Sequence, residues 1–490
     1  MTSLWLEHPQ AARAVLPDDA TCDIVVVGAG VTGLVTAVQA ARAGLSVIVL
    51  EARTAGAATT GNTTAKVSLL QGTKLRRIRR AHPLSIVRSY VDANRRGQEW
   101  LWDFCEASGV VAETQAAITY ATSAAGEARV RAELDVAREV GLDAGWTDAA
   151  ELPFPVIGGV RLEDQFQIHP IELVEALAAD LQANGGVLHE HSRVQDVSRS
   201  DAGVEARTGT GTVTARHLVV ATSMPVLDRG GFFARQTPQR SYAAALRPRW
   251  LPDAMYLSAE APSRSIRRAE WQGDAVLLVG GYGHVTGRVD SEAGHLADLL
   301  DWAHSDLGAG EVTHTWSAQD QSPVDELPYV GPLLPGDDRV LVATGFDKWG
   351  FTNAAGAAEL LTARMTGREL DSEAMRSWSP WEATGIPRAL VANGAVGYRM
   401  AQGWLRAYVG GQPPQPAEGT GTVAQRAGKP AAVCTVDGVT HEVSAVCPHM
   451  HGIVCWNDAE QSWDCPLHGS RFAPDGHVLE GPATRPLPPH

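Results

Sequence analysis

The chain predicts a multidomain fold: an α/β domain of Rossmann-like form, an α+β part interleaved with it, and a small all-β module at the C-terminus. Three observations predict this. The stretch Asp23–Arg53 reads as a buried strand (Ile24–Val27), a glycine turn (Gly28-Ala29-Gly30-Val31-Thr32-Gly33), a helix (Leu34–Ala43) and a strand (Leu45–Leu50) closed by Glu51. A chain of 490 residues is too long for one core. Of its cysteines, Cys434, Cys447, Cys455 and Cys465 crowd at the C-terminus, whereas Cys22 and Cys105 are isolated and read as packing residues.

The glycine turn carries the first chemistry. Gly28 permits the tight turn, Gly30 lets the backbone approach a pyrophosphate, and Gly33 packs helix against strand. The helix N-terminus, with Val31 and Thr32 in its first turn, offers free N–H groups to phosphate. Glu51 lies where a carboxylate accepts from ribose hydroxyls, so the register predicts a dinucleotide site. Composition is that of an ordinary globular protein, 44% apolar and 20% charged. A net charge of -15 argues against a nucleic-acid surface. No apolar run reaches the length of a membrane span. The N-terminus lacks a basic and apolar leader, so a cytoplasmic location is expected.

Ala52 and Arg53 lead into Thr59-Thr60-Gly61-Asn62-Thr63-Thr64-Ala65-Lys66, a run of small hydroxyl residues. The GxGxxG turn, the Glu-x-Arg and this loop together resemble the FAD-dependent D-amino-acid oxidase/glycine oxidase superfamily. That resemblance implies that the dinucleotide is FAD and that Thr60, Thr63, Thr64 and Ala65 lie along it. Leu84–Ser108 and Ala125–Val140 show helical periodicity, with Trp100, Trp102 and Phe104 read as core. A helix from Ile171 to Ala183 precedes a strand ending near Val194, and a strand His217–Ala221 precedes Thr222. The resemblance places Val194 at the adenine and Thr222 at the pyrophosphate. Residues 237–335 resemble the substrate domain laid over the flavin. Tyr242 and His284 fall on strands of that sheet that could face the ring and are kept as catalytic candidates, although a satisfied structural role is the favoured reading for each. Ala275–Gly287 mimics a second nucleotide loop, but its glycines run GxGxxxG without an acid-terminated strand, so it reads as strand and turn. Trp316–Gly331 resembles a late motif of the superfamily. After a strand Arg339–Ala343, the turn Gly345-Phe346-Asp347-Lys348-Trp349-Gly350-Phe351-Thr352 opens a helix through Met365. Its N-terminus would bring positive dipole to the ring. Lys348 joins Tyr242 and His284 as a catalytic candidate; Gly345, Trp349, Gly350, Phe351 and Thr352 are cofactor candidates.

The domain expectation is therefore 1–385 for the flavin part, with FAD-binding segments near 20–84, 150–236 and 336–370 and substrate segments near 85–149 and 237–335. A helix around Val391–Tyr408 and a Gly/Pro linker fill 386–417, and a small domain follows over 418–490. In it, Cys447-Pro448-His449 and Cys465-Pro466-Leu467-His468 match a Rieske [2Fe–2S] box, in which two cysteines hold one iron and two histidines the other. Zinc ribbons favour other spacings. High-potential Rieske proteins add one cysteine per box, joined as a disulfide; here those positions are Gly452 and Leu467. Cys455 is then a spare thiol expected to be buried. Ser470 could donate toward a bridging sulfide, while Phe472 replaces a tyrosine hydroxyl. The expected potential is the lower part of the Rieske range, about -150 mV or slightly higher.

The full chain resembles bacterial FAD-dependent oxidoreductases with a C-terminal Rieske domain. This implies oxidation of a C–N bond in a small amine or amino acid, with electrons moving between FAD and the cluster and on to a ferredoxin-like partner. The alternative is an electron-transfer flavoprotein or reductase serving a partner redox protein. A Rieske oxygenase is rejected, because Asp301-x2-His304 lacks a second histidine at triad spacing. Substrate, direction of electron flow and oligomeric state are left open.

Overall fold

The computed structural model describes residues 1–148, 151–409 and 415–490. The linker expected between the last helix and the small domain falls largely in 410–414, outside the described residues.

Apolar β-branched runs at Ala20–Val27, Val47–Leu50, Thr212–Val220 and Val340–Thr344 build one buried sheet. Its order is Tyr329–Pro332, Val340–Thr344, Thr212–Val220, Ala20–Val27, Val47–Leu50 and Val187–His189. The five central and distal strands pair in parallel, as expected of strands covered on both faces. The helices Val31–Arg42, Leu84–Ser108, Pro170–Ala183 and Gly350–Thr366 lie close to their expected ranges. Val194 lies past the strand Val187–His189 in an irregular segment, still buried beside Val25 and Leu50. Trp100 stacks on Phe104 at 5.2 Å, while Trp102 is 38% exposed and only edges Phe166, so it is not core.

A second, nine-stranded sheet runs Val312–Pro323, Gln236–Leu246, Asp274–Val285, Arg264–Trp271, Ala254–Ser258, Ala112–Ala121, Gly158–Ile168 and Lys66–Val67, with Gly145–Thr147 added on Gly158–Ile168. Asp274–Val285 is a plain antiparallel strand in it, as its glycine spacing predicts. Gly158–Ile168 and Lys66–Val67 also belong here, although both fall in segments expected to bind FAD. Cross-strand partners far along the chain decide this, and local pattern does not report them.

The helix Ile386–Val409 crosses to a small domain of two antiparallel sheets. One is Gly421–Arg426, Lys429–Val436 and Val439–Ser444; the other is Cys455–Asn457, Ser462–Asp464, Arg471–Phe472 and Val478–Glu480. Its core gathers Ala432, Val443, Val454, Trp463, Leu467 and Phe472 around Cys447 and Cys465. No helix among the described residues is long and apolar enough to cross a membrane.

Candidate active site and metal centre

The nucleotide cradle forms where the first sheet's strands end. Gly28 has φ +104°, and a Cβ there would sit 2.6 Å from Ala221 O. At Gly33 it would meet Gly28 O at 1.9 Å, so helix and turn touch backbone to backbone. Gly30 caps the helix Val31–Arg42 with no side-chain hydrogen bond. The Val31 N–H donates to Thr60 Oγ1 at 3.1 Å, bringing the hydroxyl loop onto that terminus. Thr32 occupies the same first turn, and Thr222 Cγ2 lies 3.6 Å from where a Gly28 Cβ would stand. The Glu51 carboxylate accepts the N–H groups of Ala29 and Arg53, each at 2.8 Å. Two carboxylate oxygens have about four acceptor sites, which leaves room for ribose hydroxyls. Ala52 is held between these bonds.

The loop beyond is pinned from behind. Trp5 Nε1 donates to Thr63 O at 2.7 Å, and Arg267 Nη1 donates to Thr64 O and Ala65 O at 2.7 and 3.0 Å. The turn opposite is anchored as firmly. Asp347 receives Lys74 Nζ at 2.8 Å and the Arg77 guanidinium. Burial alone would raise its carboxyl, but these two cations hold it well below the usual range. Thr352 Oγ1 donates to Asn94 Oδ1 at 2.6 Å, and Phe351 is buried in the core. Gly345 takes φ +80°, and Gly350 begins the helix. Thr352 and Phe351 therefore brace this turn, while Lys348 and Trp349 are left at its open side.

A cleft lies between that turn and the second sheet. Lys348 Nζ donates to Ser241 Oγ at 2.8 Å. Lys348 touches water yet is enclosed by protein, as expected of a cleft-lining residue; burial lowers its amine, with Asp347 and Asp320 opposing. A small cavity is lined by Lys66, Thr119, Met255, Leu257 and Trp349. Lys66 Nζ donates to Tyr256 O at 2.6 Å and Ser265 Oγ at 2.7 Å. Burial, reinforced by Arg267, pushes its amine well below the ordinary lysine value. Asp320 accepts the Lys348 backbone N–H. Burial raises its carboxyl to about 6 despite the N–H groups of Gln321 and Lys348. Neither Lys66 nor Asp320 was singled out from sequence, and the enclosure that perturbs both carries no local signature.

Alternation along Gln236–Leu246 decides which side chains reach the cleft. Ser241 sits on the cleft face with Gly283, and Ala243 with Gly280 and Thr64. Tyr242 and His284 are brought together on the opposite face. Tyr242 Oη lies 2.9 Å from His284 Nε2, and His295 stacks on the Tyr242 ring and tilts against that of His284. Burial raises the Tyr242 phenol out of reach of neutral pH and lowers His284 to about 4. This pair therefore does not join Lys348. A β-bulge between Arg240 and Tyr242 shifts the pairing, so sequence position alone does not disclose the face.

The metal box assembles in the small domain. Cys447 and Cys465 are buried and adjoin one another, with N–H groups of His449 and Met450 aimed at the first sulfur and of Leu467 and His468 at the second. The rings of His449 and His468 stand 5.0 Å apart at 87°. His468 Nδ1 is buried and makes no hydrogen bond, which is the state of a nitrogen reserved for a metal. Four converging donors and an orphaned imidazole nitrogen fit a [2Fe–2S] cluster held by Cys447, His449, Cys465 and His468. A Cβ on Gly452 would lie 2.5 Å from Leu467 Cδ1, so the Leu467 side chain fills the space a disulfide would take. Ser470 Oγ accepts the Ala483 N–H at 3.0 Å and lies in hydrogen-bond contact with Cys447. Cys455, expected to be buried, is solvent-accessible, because it opens the short strand at the edge of its sheet. His8, His169 and Glu172 also converge, but His169 Nδ1 accepts the Glu172 N–H at a helix N-terminus, whose dipole opposes a cation.

The two sites are locked together. Arg240 is fully buried and pairs with Glu460 at 2.9 Å, Glu480 at 3.6 Å and Asp464 at 3.8 Å. Arg471 meets the same three acids from within the small domain. Gln319 Nε2 donates to Gly469 O at 2.9 Å, and Arg288 Nε to Pro466 O at 2.8 Å, both beside the box.

A dinucleotide cradle opening on an enclosed cleft, with an iron–sulfur box docked behind the same sheet, defines a flavoprotein oxidoreductase with a Rieske centre. The FAD dependent oxidoreductase (DAO) family model matches residues 23–364, and the Rieske [2Fe-2S] domain model matches residues 408–490. The chain belongs to the FAD dependent oxidoreductase family and carries a C-terminal Rieske domain; its cofactors are FAD and a [2Fe–2S] cluster. It is 30% identical over 480 residues to the Rieske 2Fe-2S iron-sulfur protein YhfW of Bacillus subtilis (strain 168), covering 96% of this chain and 94% of that protein. It is also similar in fold to glycine oxidase from Geobacillus kaustophilus (TM-score 0.61, 18% identity, 72% of this chain and 96% of that one). L-proline dehydrogenase from P. horikoshii aligns likewise (TM-score 0.61, 17% identity, 75% and 98%). The protein is thus a FAD-dependent oxidoreductase with its own Rieske [2Fe–2S] domain.

Proposed function

We propose that this enzyme oxidises a C–N bond of a small amine or amino acid in the cleft and passes the electrons singly to its own Rieske cluster. One observation carries the reading: a single strand, Gln236–Leu246, lines both sites. Ser241 faces Lys348 in the cleft, and its neighbour Arg240 grips the acids beside the metal box. FAD supplies acceptance of an electron pair with one-at-a-time release, and the cluster supplies one-electron transfer.

The chain's own residues do the rest. Gly28, Gly30, Gly33, Val31, Thr32, Glu51, Ala52, Arg53, Thr60, Val194 and Thr222 hold the dinucleotide end. Thr63, Thr64, Ala65 and the turn from Gly345 through Trp349, Gly350, Phe351 and Thr352 set the ring end. Lys348 attracts an anionic substrate group, and Lys66 offers a weakly basic amine to a substrate proton. Tyr242 and His284, on the far face, position the sheet against the small domain. A cytoplasmic setting and a ferredoxin-like acceptor complete the reading. The solved structures similar in fold include an L-amino acid deaminase from Proteus vulgaris, which is in keeping with a C–N substrate.

Mixing the anaerobic enzyme with amines, amino acids and NADH separately tests this. Flavin absorbance should bleach with a member of the first two groups; bleaching by NADH alone would favour the reductase alternative. Asp320 supplies a pH signature. Its carboxyl ionises near 6 in the fold, and the anion helps keep Lys348 charged. Substrate KM should therefore fall as pH rises through 6, and Asp320→Asn should flatten that change. The stability sign is opposite. A carboxyl raised from its ordinary value favours the neutral folded form, so stability declines as pH climbs from about 4 to 6.

A further inference from the structure

We propose that Asp228, a residue of the flavin part, is a positioning residue that orients and polarises the cluster ligand His449. This deepens the electron-transfer reading above and rests on it. Asp228 lies between Thr222 and the short helix Phe232–Arg235, outside the metal domain. Its Oδ1 stands 2.5 Å from His449 Nε2. The His449 side chain is 4% exposed and that of Asp228 55%, so a rim carboxylate reaches in to a buried ring.

The geometry divides the work of the ring. Nε2 is committed to Asp228, which leaves Nδ1 for iron, matching the buried and unpartnered Nδ1 of His468. A ligating histidine whose other nitrogen donates to a carboxylate is fixed in tautomer and orientation and becomes a stronger electron donor. Stronger donation stabilises the more positive, oxidised iron and so lowers the potential. The two ligands differ in this respect. Phe233 closes over the same edge, 6.1 Å from His449 and 5.2 Å from His468, edge-on to both. That apolar cover lowers the local dielectric, so the Asp228 charge counts for more than it would at an open surface. Because the carboxylate comes from the flavin part, the cluster acquires its working potential only in the docked molecule. Asp228 itself neither gains nor loses an electron, and no bond is made or broken there.

Redox titration of the full-length, cofactor-loaded protein, followed by EPR, tests the proposal on Asp228→Asn and Asp228→Ala. The amide keeps an acceptor but loses the charge; alanine loses both. The reduction equilibrium should shift toward the reduced cluster by about tenfold in Asp228→Asn, or 59 mV for one electron. The nitrogen hyperfine coupling of one histidine should change and the other stay. A reduction equilibrium within twofold of wild type in both variants, with unchanged couplings, would overturn the proposal. Failure of the underlying reading looks different: the wild-type cluster would titrate as expected yet stay oxidised when the flavin is reduced by substrate.

Discussion

Arg240→Met is expected to cost roughly 3–5 kcal/mol and to loosen the small domain from the flavin part, because removing one partner leaves buried charge uncompensated. Arg240 is wholly inaccessible to water and is a cation of the flavin part that pairs with Glu460, Glu480 and Asp464. Arg471 remains in the variant but is already shared among all three acids. The variant also leaves Ser317 Oγ and Gln319 Oε1 without the guanidinium donor that meets them in the buried seam. Methionine fills much of the arginine stem's volume, so the loss reports charge rather than a cavity. Urea unfolding followed by cluster circular dichroism and flavin fluorescence reads the effect. In wild-type protein the transitions should coincide; in the variant the cluster signal should be lost first. Coincident, unshifted transitions would show that other contacts carry the docking.

Gly30→Val should yield protein that folds without flavin. Gly30 stands at the helix N-terminus where a pyrophosphate would bind, and a Cβ there already comes within 3.1 Å of Thr60 Oγ1. A branched side chain therefore displaces the hydroxyl loop and occupies the phosphate's place. The strands around it are buried in their own apolar core, so the fold survives. The absorbance ratio of flavin to protein after purification decides the matter, with the Rieske signal as internal control. Full flavin occupancy would contradict the cradle assignment.

What was legible in the sequence was local. Gly28, Gly30 and Gly33 announce their turn because backbone contacts a few residues apart forbid a side chain. The cysteine–histidine box announces itself because ligand spacing is set within single loops. The helix Leu84–Ser108 was legible to the residue through apolar periodicity, and others to within a few residues. What escaped depends on partners distant along the chain. The face of Tyr242 hangs on a bulge and on pairing with the strand that carries His284, more than thirty residues away. Asp320 looks like any solvated acid until the turn Gly345–Gly350 closes over it. Arg240 and Asp228 show no motif, since each takes its meaning from residues beyond 445. Cys455 looked buried by residue type, yet edge position overrides type.

The central claim is that one strand joins the substrate cleft to the iron–sulfur box, so that electrons taken from a C–N bond reach the cluster within the same molecule. Anaerobic reduction by the amine or amino acid that bleaches the flavin, with rapid freezing and EPR, tests it most directly. The account predicts that the rhombic signal of a reduced Rieske cluster grows in as flavin absorbance falls, at a rate independent of protein concentration. Flavin that bleaches fully while the cluster stays oxidised and EPR-silent would contradict it.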